Sequence, residues 1–286
     1  MTFKKAVLAT ALLTISTMAA AELKVDVYHA NPNSFSVTST LVTGEKEAIL
    51  IDSGFTRADA LRIAAKVLDS NKTLTTILVS QADPDYYFGV ETLKSIFPDV
   101  NVVTTPAVLA KIEAKLDTKL KTWSPKMGAN APSKPVLPKV LAKNSLTLEG
   151  ETLEIRGTTG VLAHRPYVWI PSIKTITGNI GVFGNMNVWT ADTATVEHRQ
   201  AWLAQLDEMK ALKPTKVIPG HMAEGTALDS SAIDFTKGYL TRFEQVLANS
   251  KSSQDVIAGM EKSYPNLPAK FNLELGAKVN KGEMKW

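Results

Sequence analysis

The chain contains no cysteine. Disulfides, thiolate metal ligands and a cysteine nucleophile are therefore excluded in any compartment. After residue 21 no apolar run approaches the ~20 residues that a bilayer-spanning helix needs. There is no Gly-rich phosphate loop, no G-x-S-x-G elbow and no S-x-x-K nucleophile pattern, and no segment recurs at a fixed period. Basic residues outnumber acidic ones, 32 to 28, for a formal net charge of +4. They are scattered rather than clustered, so mild attraction to anions follows but nucleic-acid binding does not.

The sequence opens Met1-Thr2-Phe3-Lys4-Lys5, continues through an apolar stretch over 6–15, and reaches Ala19-Ala20-Ala21-Glu22. A charged start, a short apolar core and an A-x-A site are the parts of a secretory signal peptide cleaved after Ala21. The expectation is a leader over 1–21 and one domain over 22–286, periplasmic or secreted, without stable membrane insertion.

Strand-like alternation runs over 23–43 (Val25, Val27, Val37, Leu41, Val42) with a break at Asn31-Pro32-Asn33. Ala48-Ile49-Leu50-Ile51 is a buried strand ending in the turn Asp52-Ser53-Gly54. Thr56 and Asp59 have capping-box spacing ahead of Ala60, Leu61, Ala64, Val67 and Leu68 at helical intervals. Further strands are expected at 75–79, 100–103, 146–148, 153–155, 167–170, 174–177 and 216–218. Helices are expected at 90–96, 106–122, 196–212, 228–248 and 254–261. Pro125, Pro132, Pro135 and Pro138 mark 124–138 as an irregular crossover loop, and 228–286 reads as a C-terminal helical extension. Strands and helices alternate on both sides of the loop, which predicts a layered α/β architecture with two similar halves.

Five landmarks stand out in order: Ile49-Leu50-Ile51-Asp52-Ser53-Gly54; the segment Ser80-Gln81-Ala82-Asp83-Pro84-Asp85-Tyr86-Tyr87-Phe88-Gly89; Ile170-Pro171-Ser172; Thr177-Gly178-Asn179; and Val217-Ile218-Pro219-Gly220-His221. Together they resemble the metallo-β-lactamase fold superfamily. The resemblance implies an α/β fold of the αββα type, two sheets face to face with helices outside and an active site at one edge. In that family two metals are held by an H-x-H-x-D-H segment, a middle histidine, a bridging aspartate and a late histidine after Pro-Gly. Here Gln81, Asp83 and Tyr86 stand at the three histidine positions of the segment, and Asn179 at the bridging carboxylate. Asp85 and His221 keep their types. The middle histidine falls near Gly160, with His164 a few residues later, and both registers stay open. Asp52 resembles the family's buried aspartate that braces the ligand loop.

Zinc takes imidazole, thiolate or carboxylate in a tetrahedron, and this chain offers Asp83, Asp85 and His221. With Asn179 these make an oxygen-rich set better suited to magnesium, manganese or calcium than to zinc. The most such a site is expected to hold is one divalent ion, whether zinc, manganese or magnesium. Without the three imidazoles, no ion pair brings the pKa of a bound water toward ~7. Two functions follow from different classes. One is a hydrolase homologue that binds a small molecule without dinuclear hydrolysis. The other is an active hydrolase of a lactone, ester or β-lactam, with Asp85 as base in a remodelled site. In either case Tyr86, Tyr87, Met186 and Trp189 are the expected ligand contacts, being near the old site and, for the aromatics, apolar with a polar tip. His29 and His198 match no ligand position, and His198 is expected on a solvated helix face beside Arg199 and Gln200.

Overall fold

The computed structural model describes residues 22–286, so the leader expected over 1–21 lies outside the described residues. Strands β1 (Lys24–His29), β2 (Thr38–Thr43), β3 (Glu47–Ile51), β4 (Thr73–Leu78), β5 (Asn101–Thr104) and β6 (Lys139–Val140) form one sheet in that order. β1, β2 and β3 pair antiparallel. From β3 to β6 the pairing is parallel, and each parallel step needs a crossover. Helix α1 (Arg57–Asp69) makes the first, the short α2 (Pro84–Tyr87) and α3 (Val90–Ile96) the second, and α4 (Pro106–Met127) the third.

The second sheet contains β7 (Ser145–Leu148), β8 (Glu151–Arg156), β9 (Tyr167–Ile170), β10 (Thr175–Thr177) and, beyond a two-residue strand β11 (Phe183–Gly184), β12 (Lys216–Val217). β11 pairs in parallel with β13 (His221–Met222). Helix α5 (Val196–Ala211) precedes β12, and α6 (Ser231–Asn249), α7 (Ser253–Ser263) and α8 (Lys270–Asn280) close the chain.

Side-chain alternation along the strands builds the layers. In β3, Ala48 and Leu50 join a core with Ile63 and Val67 of α1, Leu93 of α3 and Ile112 of α4. Ile49 and Ile51 point the other way, into a core with Leu153 of β8 and Val168 and Ile170 of β9. In β9, Tyr167 and Trp169 in turn face Trp202 and Leu206 of α5 and Leu240 and Phe243 of α6. Three cores between four layers make the αββα sandwich. Each large apolar side chain removed from water contributes ~1.5–3 kcal/mol, and a one-residue slip of β3 would exchange both its faces. The register is therefore strongly fixed.

Two expectations need correction. Helix α4 does not stop near 122: it carries Pro125 in its last turn and ends at Met127, capped by Gly128, whose φ is +55°. Leu116, Leu120, Trp123 and Met127 lie at helical spacing and pack on the first core, which holds that turn together across the missing proline N–H. The face of α5 around His198 is only partly solvated. Gln200 is exposed, but Arg199 is buried and bound to Glu244, the Thr193 carbonyl and Asn280, while His198 is half-buried with an unpartnered Nδ1. Helix α8 had no separate sequence expectation, and Asn280 on it shares the Arg199 guanidinium.

The edge that carries the site is held by close backbone approaches. A Cβ on Gly89 would meet the Ser53 carbonyl oxygen at 2.0 Å, and one on Gly220 would meet that of Asn179 at 2.0 Å. Thr38 Oγ1 and N bond the Pro219 and Gly220 carbonyls at 2.6 and 2.9 Å, tying β2 to the loop before His221.

Asp52 sits at φ +66°, fully enclosed, and accepts from Ser80 N and Ser80 Oγ, both at 2.7 Å. Burial pushes its carboxyl from the ordinary 3.8 up to about 7, against the pull of the Ser80 bonds. A carboxyl raised on folding binds protons more tightly in the folded chain, so its contribution is fullest below pH 3.8 and is lost as pH rises toward 7. Asp52→Asn can still accept from Ser80 N and donate to Ser80 Oγ. In urea denaturation the variant should gain stability relative to the native chain between pH 4 and 7, with a slope of at most ~1.4 kcal/mol per pH unit. Parallel stability curves for the two proteins would contradict this.

Candidate functional site

Two stretches of backbone bring the chemistry together. One leaves β4 and enters α2, carrying Gln81, Asp83, Asp85 and Tyr86; the other follows β10 and β12, carrying Asn179 and His221. Pro84 opens α2, as its fixed φ favours, but Asp83 at the N-cap makes no capping bond. Its carboxylate turns instead to Lys119 of α4, with Nζ 3.2 Å from Oδ1. Burial raises the Asp83 pKa, Asp192 adds to the rise, and Lys119 and Arg165 oppose it. Burial works against the Lys119 charge, yet Asp83 and Asp192 outweigh it and hold that pKa above the ordinary lysine value. Arg165 is a second cation nearby and is buried, its guanidinium 4.8 Å from the Trp202 ring centroid.

His221 has one assignable tautomer. Its Nδ1 lies 3.0 Å from the Phe35 carbonyl oxygen, which can only accept, so Nδ1 carries the proton and Nε2 is the acceptor. Burial lowers its pKa to about 4, with Arg165 adding to the fall and the Phe35 bond opposing it. The Tyr86 hydroxyl is 3.1 Å from Nε2 and 3.2 Å from the Asn179 carbonyl. Asp85 Oδ2 also faces Nε2, at 3.4 Å. Burial and then Asp83 push the Asp85 pKa well above the usual carboxylate range. A neutral acid suits this position, since a carboxylate would face the imidazole lone pair. Phe35 itself adopts φ +58° and Ser36 φ +54°, a strained pair for side chains with a Cβ. The His221 bond is one of the contacts that pin it.

Gln81 and Asn179 are spent on backbone. Gln81 Nε2 donates to the Pro166 carbonyl at 2.7 Å, leaving its buried Oε1 without a partner. Asn179 Nδ2 donates to the Ile218 carbonyl, and its Oδ1 accepts from Val182 N, both at 2.9 Å. Asp83, Asp85, Lys119 and His221 line one cleft. Phe183 stacks on His221 at 5.3 Å, and the other aromatic residues of the lining fall into two groups. Phe35, Phe55 and Trp123 have centroids 5.1–5.6 Å apart; Trp189 lies 5.9 Å from Phe271 and 5.1 Å from Trp286. Asp192 accepts from the Trp189 and Trp286 indoles at 2.5 and 3.0 Å, fixing the second group.

Of the expected ligand contacts, Trp189 lines this cleft and Met186 lines an adjoining cavity. Tyr86 and Tyr87 are buried in the first core, and the Tyr87 hydroxyl has no partner. His164 is half-buried and lines neither cavity; burial, Arg165 and Lys111 lower its pKa to about 4. Gly160 sits at φ +76° in open space. His29 bonds the Met222 carbonyl at 2.8 Å. Sequence reasoning passed over Lys119, Arg165, Asp192, Phe35, Trp123, Phe271 and Trp286. Trp286, a lone aromatic in the charged tail Lys281-Gly282-Glu283-Met284-Lys285-Trp286, was the one visible signal. Lys119 is one of several lysines on α4, and nothing local distinguishes it.

A model of the metallo-β-lactamase superfamily matches residues 33–221. A metallo-β-lactamase family protein from Thermus thermophilus has a similar structure at TM-score 0.61 and 16% identity, covering 91% of this chain and 93% of that one. A β-lactamase domain protein from Burkholderia ambifaria gives TM-score 0.61 and 13% identity, with 94% and 88% covered. A metallo-β-lactamase from Pontibacter korlensis gives 0.53 and 17%, with 79% and 97% covered. No curated protein matches the sequence.

The fold family implies divalent metals, and the side chains present do not fit a pair of them. Among the described residues no group of three or more His, Asp or Glu side chains is placed to hold an ion. Asn179 has no free end, and a lysine ammonium already sits on Asp83. Asn179→Asp is the sharpest local check. It replaces the donor to Ile218 with a buried carboxylate, so urea denaturation should show a loss of about 2–4 kcal/mol and zinc affinity should not rise. A variant as stable as the native chain that gains zinc would show position 179 to be a metal position.

Proposed function

We propose that this chain, which belongs to the metallo-β-lactamase superfamily, binds a small organic molecule in the old catalytic cleft without dinuclear zinc hydrolysis. The observation that carries the reading is the Lys119–Asp83 pair, 3.2 Å apart in the lining of the cleft. A side-chain ammonium held by the Asp83 carboxylate takes the charge role that a metal has elsewhere, and a cation of that kind cannot activate water as a Lewis acid. The aromatic walls supply the apolar surface that small-molecule sites use, with a few polar groups to orient the ligand. A periplasmic or secreted location is part of the proposal and rests on the leader-like start of the sequence. No helix among the described residues is long and apolar enough to cross a membrane.

A hydrolytic reading keeps one specific support: Asp85 and His221 face each other at 3.4 Å in the cleft, an acid beside a base. One experiment separates the two. Protein stripped with chelator is titrated calorimetrically with zinc and assayed on a lactone, an aryl ester and a β-lactam, with and without zinc. The ligand-binding reading predicts no stoichiometric zinc at micromolar concentration and no turnover. Zinc-dependent turnover would overturn it, and metal-free turnover abolished by Asp85→Asn would transfer the function to the Asp85–His221 pair.

A further inference from the structure

The cleft is short of positive charge in a chain that has an excess of it. The cleft joins the adjoining cavity at Phe35, Trp123, Phe271 and Asn272. Across both cavities the lining carries three carboxyl groups, Asp83, Asp85 and Glu224, against one ammonium, Lys119. The whole chain is +4, so this balance is local. Lys119 is committed to Asp83. Asp85 is only 6% exposed, and among the described residues no Lys or Arg nitrogen lies within 4.0 Å of its carboxyl; the side-chain nitrogen it faces is that of the His221 imidazole. A buried carboxyl that lines a cavity and lacks a cation rests as the neutral acid, and a cationic ligand is what would hold it ionised.

The walls favour the same sign. Indole faces attract cations, and Arg or Lys groups within ~6 Å of a ring centroid are stabilised by ~0.5–2 kcal/mol. Two of the three cleft tryptophans already hold one. Lys119 Nζ lies 5.5 Å from the Trp286 centroid and Lys126 Nζ 4.7 Å from that of Trp123. Trp189 carries none among the described residues. The protein's own ammonium thus shows that a cation can sit between carboxylate and indole here.

We propose that the cleft takes an organic ammonium ion with an apolar, aryl-bearing body, its charge set against Asp85 and the indole faces and its body among Phe35, Phe55 and Trp123. This rests on the ligand-binding reading and adds the class of ligand to it. A hard divalent ion would want six or more oxygens and would gain nothing from rings. An organic anion would meet two carboxyl groups and a lysine already paired. A neutral ligand would leave Asp85 as the protonated acid facing the His221 imidazole, with no charge to recognise.

The test uses the full chain and three probes of matched size: 2-phenylethylammonium, 2-phenylethanol and 3-phenylpropionate, titrated by calorimetry at neutral pH. The ammonium should bind about tenfold more tightly than the alcohol, and the carboxylate most weakly. Asp85→Asn should bring the ammonium down to the affinity of the alcohol and leave the alcohol unchanged. Lys119→Met, which frees Asp83, should tighten the ammonium and not the carboxylate, so one variant remains informative if the other fails to fold. Alcohol binding as tight as ammonium, or carboxylate binding tightest and lost in Lys119→Met, overturns the ammonium class while leaving a small-molecule site in place. Millimolar probes that all fail to bind overturn it as well, and the zinc titration and turnover assays then decide separately whether the site is a ligand site.

Discussion

Placing Asp83 beside Asp85 under a roof of aromatic rings requires a nearby cation, and helix α4 supplies it through Lys119. At the observed 3.2 Å, an effective dielectric near 20 gives a Coulomb attraction of about 5 kcal/mol before desolvation is set against it. The Asp83 side chain is 28% exposed and that of Lys119 18%, so solvent takes back part of this. Asp85 then has no cation of its own, its carboxyl is held toward the neutral acid, and the His221 imidazole opposite stays neutral.

The fold makes this arrangement rigid. Helix α4 reaches over the cleft because its last turn survives Pro125 through packing on the first core, which also places Trp123 in the wall. Two strand ends meet at Gly220, where only a residue without Cβ lets the Asn179 carbonyl approach. On the other side, α8 and the tail carry Phe271 and Trp286 to Trp189, and Asp192 fastens both indoles. The site is therefore assembled from both halves of the sandwich and from helices beyond residue 221, where the family match ends.

The layers were legible in the sequence because period-2 alternation and capping chemistry are local. Ile49-Leu50-Ile51 announces a strand buried on two faces, and Thr56 with Asp59 forms the expected reciprocal cap. The changed ligand positions were legible too, since they are substitutions inside a recognisable frame. What replaced the ligands was not. Lys119 meets Asp83 across 36 residues and Trp286 meets Asp192 across 94, and no local pattern encodes such pairs. Tyr86 and Tyr87 illustrate the reverse limit. Their place beside the motif suggests a cleft lip, but the turn into α2 drives both rings into the core. Pro125 misled for a similar reason, because a long-range apolar stripe outweighed a local breaker.

The central claim is that lysine, and not a pair of metal ions, balances the Asp83 carboxylate of this cleft. The most direct measurement is a crystal structure grown in millimolar zinc, with anomalous diffraction collected at the zinc absorption edge. The account predicts no anomalous peak among Asp83, Asp85 and His221, with Lys119 Nζ still in contact with Asp83. Two ordered zinc ions there, with Lys119 swung away, would contradict it.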